Sequence, residues 1–357
     1  MKRKARRMMR VGVTFGVVAA VAVIGWQMWP NDDGSHDPND TDANLPGSPA
    51  ARGVGGEKGA PPDANTASPP DGGATSRPLD PPNGKILALQ QLSAAEAMAL
   101  WKQGNDLLAR KRHAEGRTAL TKALLSGRLP TAAERIAREA LDELAGRMIF
   151  SRDIFDADPY VTLYTFQKGE VLAKIERKLK LHVPTQILLK INGVRSARTI
   201  RAGQTLKLIR GPFHAVVSKS HFTMDIYLHR EGCEPAYVRR LKVGLGKNGS
   251  TPMGLWRVAL GRKLVRAPWN PPPNAEIQRS IAWGEPDYPL GTKGYWLGLE
   301  GIDGNTRLHD GYGIHGTNHP ESIGRAESLG CIRLADPDIE TVFWLLYEHW
   351  STVRVRP

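Results

Sequence analysis

The run Gly330-Cys331-Ile332-Arg333-Leu334 alternates polar and apolar side chains with a period of two. That is the period of a strand, and it puts Cys331 and Arg333 on one face with Ile332 and Leu334 on the other. A reactive face above a core face requires a sheet. Sixteen residues upstream, His315 closes a second candidate strand, Tyr312 to His315. If the glycine-punctuated loop from Gly316 to Gly330 folds back, it lays the two strands side by side. A thiol is mostly protonated at neutral pH and needs a base within reach, so Cys331 is the candidate nucleophile and His315 the candidate base. Gly330 removes a side chain where a substrate carbonyl must approach, and the backbone N–H groups of Leu329 to Cys331 are candidate oxyanion donors. Arg333 is placed to hold a carboxylate or to support the loop.

A chain of 357 residues is expected to divide into two or three domains. Its net charge of +13 is unevenly spread: residues 1–10 hold six bases and no acid, while residues 30–84 hold nine acids against three bases. Those two regions cancel, so the remainder from residue 85 carries the whole excess and favours an anionic partner. Nucleic acid is not indicated, because zinc-finger spacing, basic heptads and RNA-recognition signatures are all missing from the sequence. With only Cys233 and Cys331 the sequence excludes a disulfide framework, and a single bridge between them is the bland alternative to a reactive thiol.

The amino-terminal third reads as delivery. Residues 1–10 form a basic leader expected in the cytoplasm. The 19 uncharged residues 11–29, ending in Trp26 and Trp29, would make a helix of about 28 Å, enough to cross a membrane. A cleaved signal peptide is the competing reading, with Ala20-Val21-Ala22 as its site. A single-pass anchor leaving the remaining domains outside the cytoplasm is the expectation. Residues 30–84 contain eleven prolines, nine glycines and no aromatic residue, which predicts a disordered tether spanning about 40 Å. Residues 86–150 then turn rich in Ala, Leu, Arg and Glu. Ser93 with Glu96 makes a capping-box pattern, Leu100, Gly104, Leu107 and Leu108 line a first helix, Ala119 to Leu124 a second, and Thr131 to Met148 a third. The first two resemble one tetratricopeptide-type hairpin; a small helical spacer, or a docking bundle for a protein partner, is the alternative.

Residues 158–210 read as strand, helix, helix, strand. The order, with Gly169-Glu170-Val171-Leu172, Asn192-Gly193 and Ala202-Gly203-Gln204-Thr205-Leu206, resembles a LysM domain. Glu170 and Val171 depart from the Asp and Thr usual there. The resemblance implies a βααβ module that binds N-acetylglucosamine polymers such as peptidoglycan.

From residue 212 to 357 the pattern is mainly β, with strands expected at Phe213–Ser218, Thr223–Leu228, Tyr237–Val243, Leu255–Leu260 and Thr352–Arg356. Asp336-Pro337 is expected to cap a helix whose apolar face runs from Ile339 to Trp350. His315-Gly316 followed by Ser328-Leu329-Gly330-Cys331-Ile332-Arg333-Leu334 resembles the signature of L,D-transpeptidases, the YkuD family. Val243 to Gly246 and Ser250 to Trp256 are similar to further family segments. Leu329 stands where many members have histidine. The resemblance implies a YkuD-like β-sandwich with a carboxy-terminal helix, needing no metal and no cofactor. It implies acyl transfer on peptidoglycan stem peptides: Cys331 attacks the carbonyl of the third residue, releases terminal D-alanine, and passes the acyl group to an amine or to water. His315 would be base, Arg333 and Ser328 supports, and the Gly316 carbonyl an orienter of the imidazole. Trp269 and Pro271 to Pro273 would cap the substrate or form a surface turn. The rival readings are a zinc hydrolase using His309, His315, His319 and Cys331, and a non-catalytic wall-binding scaffold.

Overall fold

A computed structural model describes residues 89–273 and 275–357. The expected leader (1–10), apolar run (11–29) and linker (30–84) lie outside these residues. The single-pass membrane location is corrected: among the described residues no helix is long and apolar enough to cross a membrane. Two of the described helices are the 16-residue Ala94–Ala109 and the 18-residue Thr131–Met148, and the latter carries charged Arg and Glu along its length.

Three helices come first: α1 (Ala94–Ala109), α2 (His113–Leu125) and α3 (Thr131–Met148). Helix α1 starts where the capping box predicts. The Glu96 N–H donates to Ser93 Oγ at 3.2 Å, and the Ser93 N–H donates to Glu96 Oε2 at 2.8 Å. Ala97, Ala123, Leu129, Ala133 and Ala137 form the small-residue core between the helices, with Trp101 packed on it.

The next unit is built on an antiparallel pair, β1 (Val161–Thr165) with β2 (Thr205–Ile209), and helices α4 (Leu172–Leu179) and α5 (Thr185–Ile191) lie between them in sequence. Asn192 explains why the Asn-Gly pair sits where it does. Its amide donates to the carbonyls of Leu188 and Lys207 at 2.7 and 2.8 Å and its Oδ1 accepts from Lys207 N–H, tying α5 to β2. The two departures noted above have different consequences. Glu170 still closes the turn, accepting from Gln167 N–H at 2.9 Å and from the Tyr164 hydroxyl. Those bonds hold its carboxyl below the usual range. Val171 occupies the N-cap of α4 without a side-chain hydrogen bond, so that helix starts uncapped.

The remaining strands form one mixed eight-stranded sheet in the order β11-β9-β8-β7-β12-β3-β4-β5, with a separate parallel pair β6–β10. In sequence these are β3 (Phe213–Ser218), β4 (Thr223–Leu228), β5 (Ala236–Lys242), β6 (Leu245–Gly246), β7 (Gly254–Val265), β8 (Tyr295–Gly301), β9 (Gly313–His315), β10 (Ala326–Ser328), β11 (Ile332–Arg333) and β12 (Thr352–Arg356). The architecture is thus mainly β, a single large sheet rather than two equal layers. Strand β12 runs parallel to β3 on one side and antiparallel to β7 on the other, which joins what a sandwich would keep apart.

Helix α6 (Asp336–Leu345) ends earlier than its apolar pattern predicts and is not capped by Asp336. Ala335 is its N-cap; the Asp336 carboxylate instead accepts from the backbone N–H and hydroxyl of Thr292. Trp350 leaves the helix face altogether and stacks on His182 at 3.6 Å between ring centroids.

The far edge of the sheet, β5, is covered by α2 and α3. Tyr237 N–H donates to Thr121 Oγ1, Arg239 pairs with Asp142, and buried Asp225 on β4 is shared by Arg240 of β5 and Arg138 of α3 at 2.7 and 3.4 Å. The helical segment therefore packs these faces of α2 and α3 against the sheet.

Candidate active site

The loop from Gly316 to Gly330 does fold back. Strand β11 pairs in parallel with β9, setting Ile332 opposite Ile314 and Arg333 opposite His315. Ile332 and Leu334 are fully buried while Cys331 and Arg333 are only partly so, the alternation expected of a core face and a reactive face. Continuing the register places Cys331 beside Gly313, two residues from His315 and on the same face. Neither Cys233 nor Cys331 is in a disulfide, so the bridge between them is excluded.

Local bonds fix the thiol's loop. Ser328 Oγ donates to the Cys331 carbonyl at 2.6 Å and accepts from Gly330 N–H at 3.1 Å. Thr251 Oγ1 donates to the Gly330 carbonyl and accepts from Gly246 N–H, each at 2.8 Å. Gly330 itself holds φ +145°, a region that favours glycine, and a Cβ there would meet the Tyr312 ring at 2.7 Å. The Gly330 N–H is thus committed to Ser328 and drops out of the candidate oxyanion donors.

His315 is 6% exposed, and its Nδ1 lies 2.5 Å from the Gly316 carbonyl. A carbonyl only accepts, so Nδ1 carries the hydrogen and Nε2 presents its lone pair. Burial pushes the imidazole down to about 4, with the Arg333 charge acting in the same direction. Crowding by protein pushes the Cys331 thiol up to about 11, partly offset by the Gly313 backbone and by Arg333. The thiol keeps some exposed surface, and its Sγ lies 3.8 Å from the Gly311 carbonyl. The resting pair is therefore neutral, thiol with imidazole, between these values. Arg333 is half-buried; its Nε makes no hydrogen bond, while its backbone pairs with Gly244 on both sides.

Sequence reasoning missed two residues here. Thr251 lies inside a quoted segment but shows its purpose only through its bonds to residues 246 and 330. Trp296 of β8 stacks on the imidazole at 5.5 Å and 14°. A lone tryptophan in a strand carries no signal of that kind. Trp269 pairs with Ile281 across an isolated bridge and packs against the cluster Ile281, Tyr288 and Leu290, so it belongs to a folded segment. His309, His315, His319 and Cys331 are not gathered; among the described residues no group of three or more His, Cys, Asp or Glu side chains is arranged to hold a metal ion.

A mainly β domain with a thiol and an imidazole on one face of neighbouring strands defines a class of enzyme-like cysteine sites. Residues 212–355 match the family described as YkuD, L,D-transpeptidase catalytic domain, and residues 164–208 match the LysM domain. The chain thus carries a YkuD catalytic domain preceded by a LysM domain. Among curated relatives, the putative L,D-transpeptidase YqjB of Bacillus subtilis is 41% identical over 66 residues, 18% of this chain and 35% of that protein. The putative L,D-transpeptidase YkuD of Bacillus licheniformis is 29% identical over 183 residues, 50% of this chain and 88% of that protein. The chain therefore spans about a third of the first relative and most of the second. Among solved structures, L,D-transpeptidase 3 from Mycobacterium tuberculosis aligns with a TM-score of 0.30 at 12% identity, covering 56% of this chain and 92% of that one.

Proposed function

We propose that this chain is a peptidoglycan L,D-transpeptidase that works through a Cys331 acyl-enzyme. The observation that carries the reading is the parallel pairing of β9 with β11, which puts Arg333 opposite His315 and Cys331 on the same face. His315 Nε2 takes the Sγ proton as sulfur attacks the carbonyl of the third stem residue. His315 is neutral at neutral pH, so its Nε2 lone pair is free to take the proton. The Cys331 N–H faces the developing oxyanion, Gly330 N–H being already used. The imidazolium then protonates the amine of the departing D-alanine, leaving a thioester. An acceptor amine attacks the thioester, His315 takes its proton, the C–S bond breaks, and the proton passes to Sγ as the new amide leaves as the cross-link. The Gly316 carbonyl keeps the imidazole in the Nδ1–H tautomer throughout. Arg333 offers its guanidinium to a stem carboxylate, and Ser328 with Thr251 hold the loop.

The LysM domain, expected over 158–210, supports glycan binding beside the catalytic site. Its turn is retained through Glu170 although the α4 cap is lost at Val171. Muropeptides from a cross-link-deficient strain carrying the wild-type chain or Cys331→Ala test the mechanism. Cross-links and free D-alanine should appear only with the wild type; wild-type amounts from Cys331→Ala would overturn it.

A further inference from the structure

We propose that Trp296 is a positioning residue for His315, holding the imidazole by face-to-face stacking and linking its orientation to the packing of the segment between β7 and β8. Three strands carry the argument. Trp296 is the register partner of His315, which in turn is the partner of Arg333, so indole, imidazole and guanidinium stand in one row on one face of the sheet. The Gly316 carbonyl fixes one edge of the imidazole through Nδ1. A ring held at one edge still turns about that bond, and an indole face 5.5 Å away at 14° removes the freedom.

The neighbouring row is built to admit that ring. Gly313, beside Cys331, would place a Cβ 2.6 Å from Trp296 Cζ2, so any larger residue would push the indole off the imidazole. On its other side Trp296 packs against the small core of Ile281, Tyr288 and Leu290. That core is closed by the Trp269–Ile281 bridge and by the Tyr288 hydroxyl, which donates to the Ala267 carbonyl at 2.7 Å. The cluster Ile281, Tyr288 and Leu290 is thus linked to the base through the Trp296 side chain. Around the imidazole the charged or titratable groups are Arg333 of β11 and Cys331 just before that strand; Asp336, at the start of α6, lies by Gly316.

The inference deepens the transpeptidase reading, and its test separates the two. In the full chain, His315 is titrated by NMR and Cys331 alkylation by iodoacetamide is followed peptide by peptide, neither of which depends on the natural reaction. Melting curves report folding. Trp296→Ala should raise the His315 pKa by about one unit or more as water reaches the ring. It should also lower kcat about tenfold or more, with KM changed less than about twofold. Trp296→Phe, which keeps a stacking face, should recover most of both losses. Ile281→Ala, in the cluster on which the indole packs, should shift the titration in the same direction by a smaller amount. An unchanged His315 titration and alkylation profile in a folded Trp296→Ala, or a Trp296→Phe as impaired as the alanine variant, would overturn the proposal. If His315 shifts as expected while no variant and no wild type forms cross-links, the transpeptidase reading fails and the positioning of the imidazole stands.

Discussion

At the scale of single residues, the buried imidazoles make the molecule sensitive to acid. His315 is held down to about 4 and His214 to about 3, both first through burial, against an ordinary value near 6.5. Below 6.5 the unfolded chain takes up protons that the folded chain refuses. The stability these groups contribute is therefore intact above about pH 6.5 and is lost as pH falls from there toward 4, at up to about 1.4 kcal/mol per unit for each. Urea midpoints should fall between pH 7.5 and pH 5 by the equivalent of about 2–4 kcal/mol. Equal midpoints would show that neither ring is protected as its burial indicates. The same numbers set the rate profile: with a neutral base required, kcat/KM should hold level from neutral pH down to about 5 and fall only near 4. An acid limb centred at 6.5 would mean that His315 titrates as an exposed histidine.

At the scale of elements, the end of α6 shows what sequence patterns reveal and what they miss. The strands Phe213–Ser218, Thr223–Leu228 and Thr352–Arg356 and the helix Thr131–Met148 start and stop where periodicity places them, because local alternation or a helical stripe decides each one. Helix α6 does not, because its limits are set by residues distant in sequence. Asp336 is drawn to Thr292, and the last turn is closed by Lys263 of β7, whose ammonium donates to the carbonyls of Phe343 and Leu346 and lies 4.4 Å above the Phe343 ring. Such contacts leave no mark in a local window. The candidate site divides the same way: Cys331, His315 and Arg333 stand out by residue type and spacing, whereas Thr251 and Trp296 show themselves only through contacts with Gly330 and His315, 79 and 19 positions away. Lys263→Met keeps the stem over Phe343 but strips the donor from two helix-end carbonyls, and it should lower stability by about 1–3 kcal/mol in urea titration. No change would show that water replaces the ammonium without cost.

At the scale of the whole described chain, the three folded parts are joined by buried polar contacts rather than by linkers alone. Arg117 of α2 and Asp158 meet at 2.8 Å with both side chains 1% exposed, and Lys207 of β2 donates to the carbonyls of Met148, Ser151 and Asp153. Tyr160 reaches across to the Glu234 carbonyl. A buried ion pair is costly to break from one side and cheap to replace whole. Arg117→Met should cost about 3–5 kcal/mol, and Arg117→Met with Asp158→Leu should regain most of that loss. Additive losses in the double-mutant cycle would show that the two charges are not coupled. The placement of β12 has a consequence for timing. A nascent polypeptide emerges amino end first, so the helices and the β1–β2 unit can form early. The strand that sits between β3 and β7 is the last of the described strands to leave the ribosome. Until residues 352–356 emerge, the two halves of the large sheet have nothing between them, and a partly synthesised chain presents Cys331 before its sheet is joined.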